Sequence, residues 1–494
     1  MLLLGIDLGT SFIKVCVTDL ETKQRIAWAS CPDEEAGILS LHTGWAEQSP
    51  ETWWLHVKNA IKKMNAEFSF DPRQIAAIGI AYQMHGLVLV DKQKQVLRNS
   101  VIWCDSRAVE LGNAAFAAIG KERCSSCLLN SPGNFTAAKL AWVKQNEPEI
   151  YGKIDKIMLP GDFISMKLTG EVTTTPSALS EGIFWDFSND KISADVLDYF
   201  GFEANMIPGI RPVFSLHGNL QKETAGELSL KPGIPVSYKA GDQMNNALSL
   251  NVVEPGEVAA TAGTSGVIYA VTEKLLADKY SRVNVFAHVN HTSLQKRLGV
   301  LLCINGTGIM NRWVKELAGE NYERMNVLAS QIDPGSNGLL VLPFGNGAER
   351  MFENQTVGAQ VLGIDLNKHS KSHLFRAVQE GIAFSFRYGL DIMKENNIHP
   401  SVIRVGNANM FLSELFTEIF ANTTKLPVEL YQNDGSTGAA LGAGIGANIY
   451  SSVKEAFSDL RMLKRIEPGW LAEKYDGLYP QWKAELMKWL GKED

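Results

Sequence analysis

Cysteine is scarce in this chain: six residues in 494 do not make a disulfide framework, and reduced thiols are the expectation. Cys124-x-x-Cys127 is the one close pair, and with no second pair to complete a zinc site it reads as a buried or surface pair. No stretch approaches the roughly 18 apolar residues of a membrane span, and the opening Met1–Leu4 is broken at once by Gly5 and Asp7 with no basic segment. A cytoplasmic chain with no membrane partner is therefore expected. Positive charge is not in excess either. Lys and Arg number 47 against 54 Asp and Glu, a net −7, which argues against wrapping nucleic acid or coating an anionic membrane. Any polyanionic ligand must then be handled locally, by backbone amides or a metal. The pattern G-x-x-x-x-G-K-[ST] is missing, which excludes P-loop phosphate machinery, and low-complexity segments and Pro- or Ser-rich linkers are missing too.

What is present is an ordinary globular composition, 45% hydrophobic and 20% charged. The length suggests about two to four compact units. The first thirty residues alternate apolar and polar with tight turns, predicting an antiparallel meander over LLLGID, IKVCVTD and QRIAWAS. Ser49-Pro50-Glu51-Thr52 then reads as a cap with Pro at the first helical position, followed by Trp53, Val57, Ala60, Ile61 and Met64 at helical spacing. IAAIGIAYQ is an apolar run of buried-strand length ending at Met84-His85-Gly86.

The second half repeats the opening. TAGTSGVIYAV at 261–271 lies over DLGTSFIKVCV at 7–17, with both GTS triplets in register at an offset of 254. An internally duplicated β-meander unit follows, with a boundary near residue 247. The units are 1–247, 248–447 and a charged, helix-forming appendage over 448–494, in which Pro468-Gly469 and Pro480 act as breakers.

A hairpin turning on Gly-Thr-Ser exposes backbone N–H groups and two hydroxyls, so Gly9, Thr10 and Ser11, and again Gly263, Thr264 and Ser265, make candidate anion cradles. Two of them across a cleft would grip a polyphosphate from both sides. The copies differ at Asp7 and Lys14, whose counterparts in this alignment are Thr261 and Ile268. Asp7 is either a turn former or a holder of Mg²⁺ through water; Lys14 is either a phosphate contact or a solvated strand face. Asp242, after Gly241 at a strand-to-helix turn, is either a helix cap or a base for a hydroxyl nucleophile. Gly442-Ala443-Gly444-Ile445-Gly446 lacks dinucleotide spacing and reads as close helix packing, and His288 and His291 lack the context of a metal site.

Taken together these residues resemble the FGGY family of carbohydrate kinases, of the actin, hexokinase and Hsp70 superfamily. Gly5-Ile6-Asp7-Leu8-Gly9-Thr10-Ser11 with Lys14 is similar to the superfamily's first phosphate motif, and Thr261 to Gly266 to its second. Thr136 to Asn146 resembles the first family signature with Asn134 as a departure, and Ala359 to Glu380 the second, with Gln379 in place of an apolar residue. The resemblance implies an α/β fold of two duplicated actin-like, ribonuclease H-like domains with a cleft between them. It implies ATP as donor, Mg²⁺ as metal, a small-molecule sugar as acceptor and Asp242 as general base; a homodimer is the family's common habit.

Gln83-Met84-His85-Gly86 resembles the segment that the xylulokinase branch places at the sugar, which implies a ketopentose, D-xylulose converted to its 5-phosphate. Met84, His85, Gly86, Trp103, Asp105 and Gln243 are the implied sugar residues, although Gln243 stands where Asn is common. Gly406, Asn407, Ala408 and Asn409 occupy the adenosine stretch with two glycines replaced, and Trp313 is expected to flank the nucleotide. Gluconate, ribulose and fuculose kinases of the same family, and a regulator that has lost catalysis, are the alternatives.

Overall fold

A computed structural model describes residues 1–432 and 434–492, so the last two residues of the 448–494 stretch lie outside the described residues. Strands β1 (Leu2–Leu8), β2 (Ile13–Asp19) and β3 (Arg25–Cys31) form the antiparallel meander that the alternation predicts. Helix α1 (Pro50–Glu67) begins where the cap does: the Ser49 side chain accepts from the Thr52 amide, and Trp53, Val57, Ile61 and Met64 bury one face. Strand β4 (Ile75–Tyr82) lies parallel to β1. After α2 (Thr136–Asn146), α3 (Pro160–Thr169) and α4 (Pro176–Glu181) come β5 (Phe214–Asn219) and β6 (Pro235–Gly241), and β6 runs directly into α5 (Asp242–Ser249). The sheet order is β5-β6-β4-β1-β2-β3.

The second half is built the same way. Strands β7 (Val258–Ala262), β8 (Gly266–Thr272), β9 (Asn284–Ala287) and β10 (Leu298–Ile304) precede α6 (Gly308–Ala318), α7 (Tyr322–Ser330) and α8 (Lys371–Glu395). Then follow β11 (Ile403–Gly406), α9 (Glu414–Thr424), β12 (Val428–Tyr431), α10 (Gly435–Gly446), β13 (Met462–Ile466) and α11 (Ala472–Trp489). The order β9-β10-β8-β7-β11-β12-β13 repeats the first sheet from β3 to β5, with β9 added at one edge. Strand directions match as well, since β1–β4 and β4–β6 are parallel pairs and so are β7–β11 and β11–β12. This is the duplicated α/β architecture that the GTS repeat predicts.

The duplication slips by one residue at its turn. Leu8 pairs with Ile13, leaving a turn of residues 9–12, whereas Ala262 pairs with Gly266, leaving only residues 263–265. Lys14, opposite Asp7, therefore corresponds in the ladder to Val267, opposite Thr261, and not to Ile268. A one-residue slip exchanges the faces of a strand, so sequence identity through the turn misassigned the second strand.

Helix α10 belongs to the second half in sequence but lies on the first sheet. A Cβ at Gly5 would stand 1.8 Å from the Ser436 carbonyl oxygen, one at Gly79 1.9 Å from that of Ala439, and one at Gly446 1.8 Å from that of Ser237. Helix and strand backbones touch, so the small-residue pattern is a packing feature. In the other direction, the edge strand β9 is bound by the first half: Ser177 donates to the Ala287 carbonyl at 2.8 Å and the Ala287 amide donates to Ser180 at 2.9 Å.

The 448–494 stretch holds more than helix, because β13 pairs with β12 and extends the second sheet. Pro480, expected as a breaker, sits inside α11, which is held on both sides of it by buried Tyr475, Tyr479, Trp482 and Leu486. Among the described residues no helix is long and apolar enough to cross a membrane.

Candidate active site

Three strands of the first sheet end level with one another. Leu8 of β1 pairs with Tyr82 of β4, and Tyr82 with Gly241 of β6, so Gly9, Gln83 and Asp242 leave the sheet along one edge. Asp7 lies one residue inside that edge. Burial pushes its carboxyl up to about 6, with Lys14 opposing and Asp434 adding to the rise. Asp242 is pushed up to about 7 by burial and then by the charge of Asp7, while the backbone and side chain of Gln243 donate to it and hold it down. The two carboxylates thus sense each other across the open end of β4.

Helix α10 closes one side of this pair. A Cβ at Gly435 would stand 2.5 Å from Asp7 Oδ2, so only glycine lets the helix start so close. Asp434 caps that helix and pairs with Arg25 at 3.2 Å. Asn245 of α5 donates to the Gly435 carbonyl at 2.8 Å, tying the helix of Asp242 to the helix beside Asp7.

The loop after β4 carries Gln83 to Gly86. The Gln83 amide donates to the Leu8 carbonyl at 2.8 Å, and Thr10 donates to the Gln83 side chain at 3.1 Å. The Trp103 indole donates to Thr10 Oγ1 at 2.9 Å while half the residue stays exposed, so the ring stands over the first GTS turn. His85 takes a left-handed backbone, φ 61°, and its Nδ1 lies 2.9 Å from the Glu181 carbonyl. A carbonyl only accepts, so Nδ1 carries the proton and Nε2 is the acceptor. Burial, with help from Lys139, pushes the imidazole down to about 3, which keeps it neutral. Lys139, itself buried, donates to the carbonyls of His85 at 2.8 Å and Ile102 at 2.9 Å. Met84 is buried beneath the loop, and a Cβ at Gly86 would press within 2.6 Å of Pro160.

Asp105 is turned inward. It is fully buried and accepts from the Ala46 amide at 2.6 Å and the Arg107 guanidinium at 2.7 Å, while Arg107 stacks 3.9 Å from the Trp45 ring. Its carboxylate anchors the segment that bears Trp103.

The second turn is fastened to α6. The amides of Gly308 and Ile309 donate to the carbonyls of Gly263 at 2.9 Å and Thr264 at 3.1 Å. In both turns the amides of Thr10, Ser11, Thr264 and Ser265 have no acceptor among the described residues. Beside the second turn opens a cleft of about 570 Å³, lined by Gly263, Thr264, Arg312, Gln379, Asn409 and Phe416 among others. Asn409, at φ 54°, brings the chain after β11 into this cleft, whereas Gly406, Asn407 and Ala408 are not in its lining. Trp313 is half-exposed on α6 and not in the lining either; Arg312, one position earlier, is.

Several residues of the site carried no mark as site residues in the sequence. Glu181, fully buried, accepts from the Tyr82 hydroxyl at 2.7 Å and the His85 amide at 3.2 Å. Gln379 did leave a signal, a polar residue at an apolar position, and here it lines the cleft and donates to Asn326 at 2.9 Å. Among the described residues no cluster of three or more metal-ligating side chains exists. What fits a small hard cation is Asp7, whose carboxylate receives no hydrogen bond from the described residues and needs only phosphate and water to complete a shell.

The family models for the N-terminal and C-terminal domains of the FGGY family of carbohydrate kinases match residues 2–249 and 258–449. The chain is 29% identical over 482 residues to the xylulose kinase of Escherichia coli K12, covering 97% of this chain and 96% of that protein. Its structure superposes on a xyloylose kinase from Brucella ovis with a TM-score of 0.90 at 25% identity, all of both chains being covered. A gluconate kinase from Lactobacillus acidophilus gives a TM-score of 0.88 at 20% identity over 99% of this chain and 97% of that one, a likeness of fold alone.

Proposed function

The chain belongs to the FGGY family of carbohydrate kinases and is a sugar phosphotransferase, and we propose that it transfers the γ-phosphoryl group of ATP to a ketopentose, D-xylulose, giving D-xylulose 5-phosphate. The observation that carries this reading is the placement of Asp242. A carboxyl pushed up to about 7 senses Asp7 across the end of β4, and the loop that carries the neutral His85 and the first GTS turn follow it in order along the same sheet edge.

Asp242 accepts the proton of the sugar hydroxyl as its oxygen attacks the γ-phosphorus; the new P–O bond forms while the bond to the ADP oxygen breaks. A base near neutral pH is matched to that task, and general-base assistance is worth roughly 10²–10⁴-fold. His85 Nε2 accepts from a second hydroxyl of the sugar, and Trp103 covers it. The free amides of Thr10, Ser11, Thr264 and Ser265 donate to phosphate oxygens, which removes any need for net positive charge. The purine and ribose occupy the cleft beside Gly263, with Arg312 and Asn409 against them. Asp7 would hold Mg²⁺ through water, and the cation would offset phosphate charge. Residues 1–247 and 248–447 act as the two closing halves, with α5 and α10 as the crossing elements between them.

A sugar acid is the second reading. Arg350 favours it, since its Nη2 is buried without a partner among the described residues and its charge is felt at His85. The test is a coupled ADP-release assay over ketopentoses, polyols and aldonic acids. D-xylulose should give the highest kcat/KM; a higher value for gluconate would replace the first reading with the second.

A further inference from the structure

We propose that Glu181 is a positioning residue for the transfer, setting the sugar loop and the strand end of Asp242 in register with each other. The inference rests on the functional reading given above and extends it to a residue outside the segments that carry the family resemblance.

Three parts of the site meet at this one buried side chain. Oε1 accepts from the Tyr82 hydroxyl at 2.7 Å, at the end of β4. Oε2 accepts from the His85 amide at 3.2 Å, at the one point of the sugar loop where a non-glycine residue is left-handed. A Cβ at Gly241 would stand 3.2 Å from Oε1, so the same carboxyl packs against the residue that precedes Asp242. The backbone of Glu181 adds a fourth contact through His85 Nδ1.

The element that carries Glu181 is itself held rigidly. Thr175 caps α4, and Ser177 and Ser180 bind both the carbonyl and the amide of Ala287 in β9. Phe286, the neighbour of Ala287, lies with its ring 5.4 Å from that of His85. The left-handed turn at His85 costs conformational energy, and the two bonds to Glu181 hold it together with the Lys139 bond to the His85 carbonyl and ring contacts with Phe135 and Phe286. Burial pushes the Glu181 carboxyl well above the ordinary range, with Asp242 and Asp162 adding to the rise and the bonds from Tyr82 and the His85 amide opposing it.

The experiment is a KM-against-kcat comparison of Glu181→Leu, Glu181→Gln and Tyr82→Phe, with the wild type and Asp242→Asn assayed in parallel. Leucine removes both acceptors, and a buried donor left unsatisfied costs enough for a change of about tenfold. Glu181→Leu should raise the KM for sugar about tenfold and lower kcat, leaving the KM for ATP within about twofold of wild type. Glutamine can still accept from the His85 amide and meet the Tyr82 oxygen, so Glu181→Gln should restore the sugar KM to within about threefold. Tyr82→Phe should move the sugar KM in the same direction by a smaller factor, and it reads the same contact should the leucine variant not fold. A sugar KM unchanged in Glu181→Leu or in Tyr82→Phe, equal changes for sugar and ATP, or no rescue by glutamine would each overturn the proposal. Failure of the functional reading looks different: the wild type would not phosphorylate the sugar, or Asp242→Asn would remain active.

Discussion

Asp242→Asn should disable this protein and at the same time make it more stable at alkaline pH. In the folded chain the Asp242 carboxyl is held at about 7 against an ordinary 3.8, first by burial and then by Asp7. A carboxyl whose folded pKa is raised binds more protons folded than unfolded between those two values, so stability falls as pH rises through that window. Below the unfolded value both states are protonated and nothing is lost; above about 7 the whole penalty is present. At about 1.4 kcal/mol per pH unit the ceiling is near 4 kcal/mol, and partial solvent access to the side chain brings it to roughly 2–4 kcal/mol. Asparagine keeps the shape and the acceptor for Gln243 but cannot ionise, so it avoids the penalty. Urea midpoints at pH 8 should be higher for Asp242→Asn, and roughly half or more of the gap should close by pH 5. A variant no more stable than wild type at pH 8, or a gap that does not move with pH, would refute the placement of a buried, repelled carboxylate at this position.

Two further outcomes follow from the geometry. Gly435→Ala would put a methyl 2.5 Å from Asp7 Oδ2 and displace that carboxylate, so initial rates at saturating sugar and ATP should drop about 10- to 100-fold with the sugar KM little changed; full activity would separate Asp7 from the chemistry. Arg312→Ala should raise the KM for ATP about five- to tenfold and leave the sugar KM alone, measured by the same initial-rate assay, whereas equal effects on both would take Arg312 out of the nucleotide site.

The parts of this site that are legible in the sequence are those written locally. The meander, the Ser49 cap of α1 and the strand-to-helix turn at Asp242 each depend on a few adjacent residues, and each lies where its own signals put it. The GTS repeat also makes the duplication legible, because each half places the same Gly-Thr-Ser triplet where its first strand ends and the hairpin turns. The slip between the two hairpins was not legible: identity in the turn says nothing of how many residues the turn leaves unpaired. Helix phase hid the exchange of Trp313 for Arg312 in the cleft lining, a difference of a single position that only packing decides. Asp105 shows the limit of a motif, since its sequence neighbours do not reveal that Arg107 and the Ala46 amide occupy its carboxylate. Glu181 is the plainest case. It ends a short helix with no marker of its own, and its partners Tyr82 and His85 are about a hundred residues away in sequence.

Phosphorylation of D-xylulose by wild type and Asp242→Asn, followed as ADP release with ³¹P NMR of the product, tests the central claim most directly. The wild type should form a sugar 5-phosphate, and Asp242→Asn should bind both substrates with turnover lower by roughly 10²–10⁴-fold. Turnover of D-xylulose by Asp242→Asn close to that of the wild type, or phosphate on another oxygen, would contradict it.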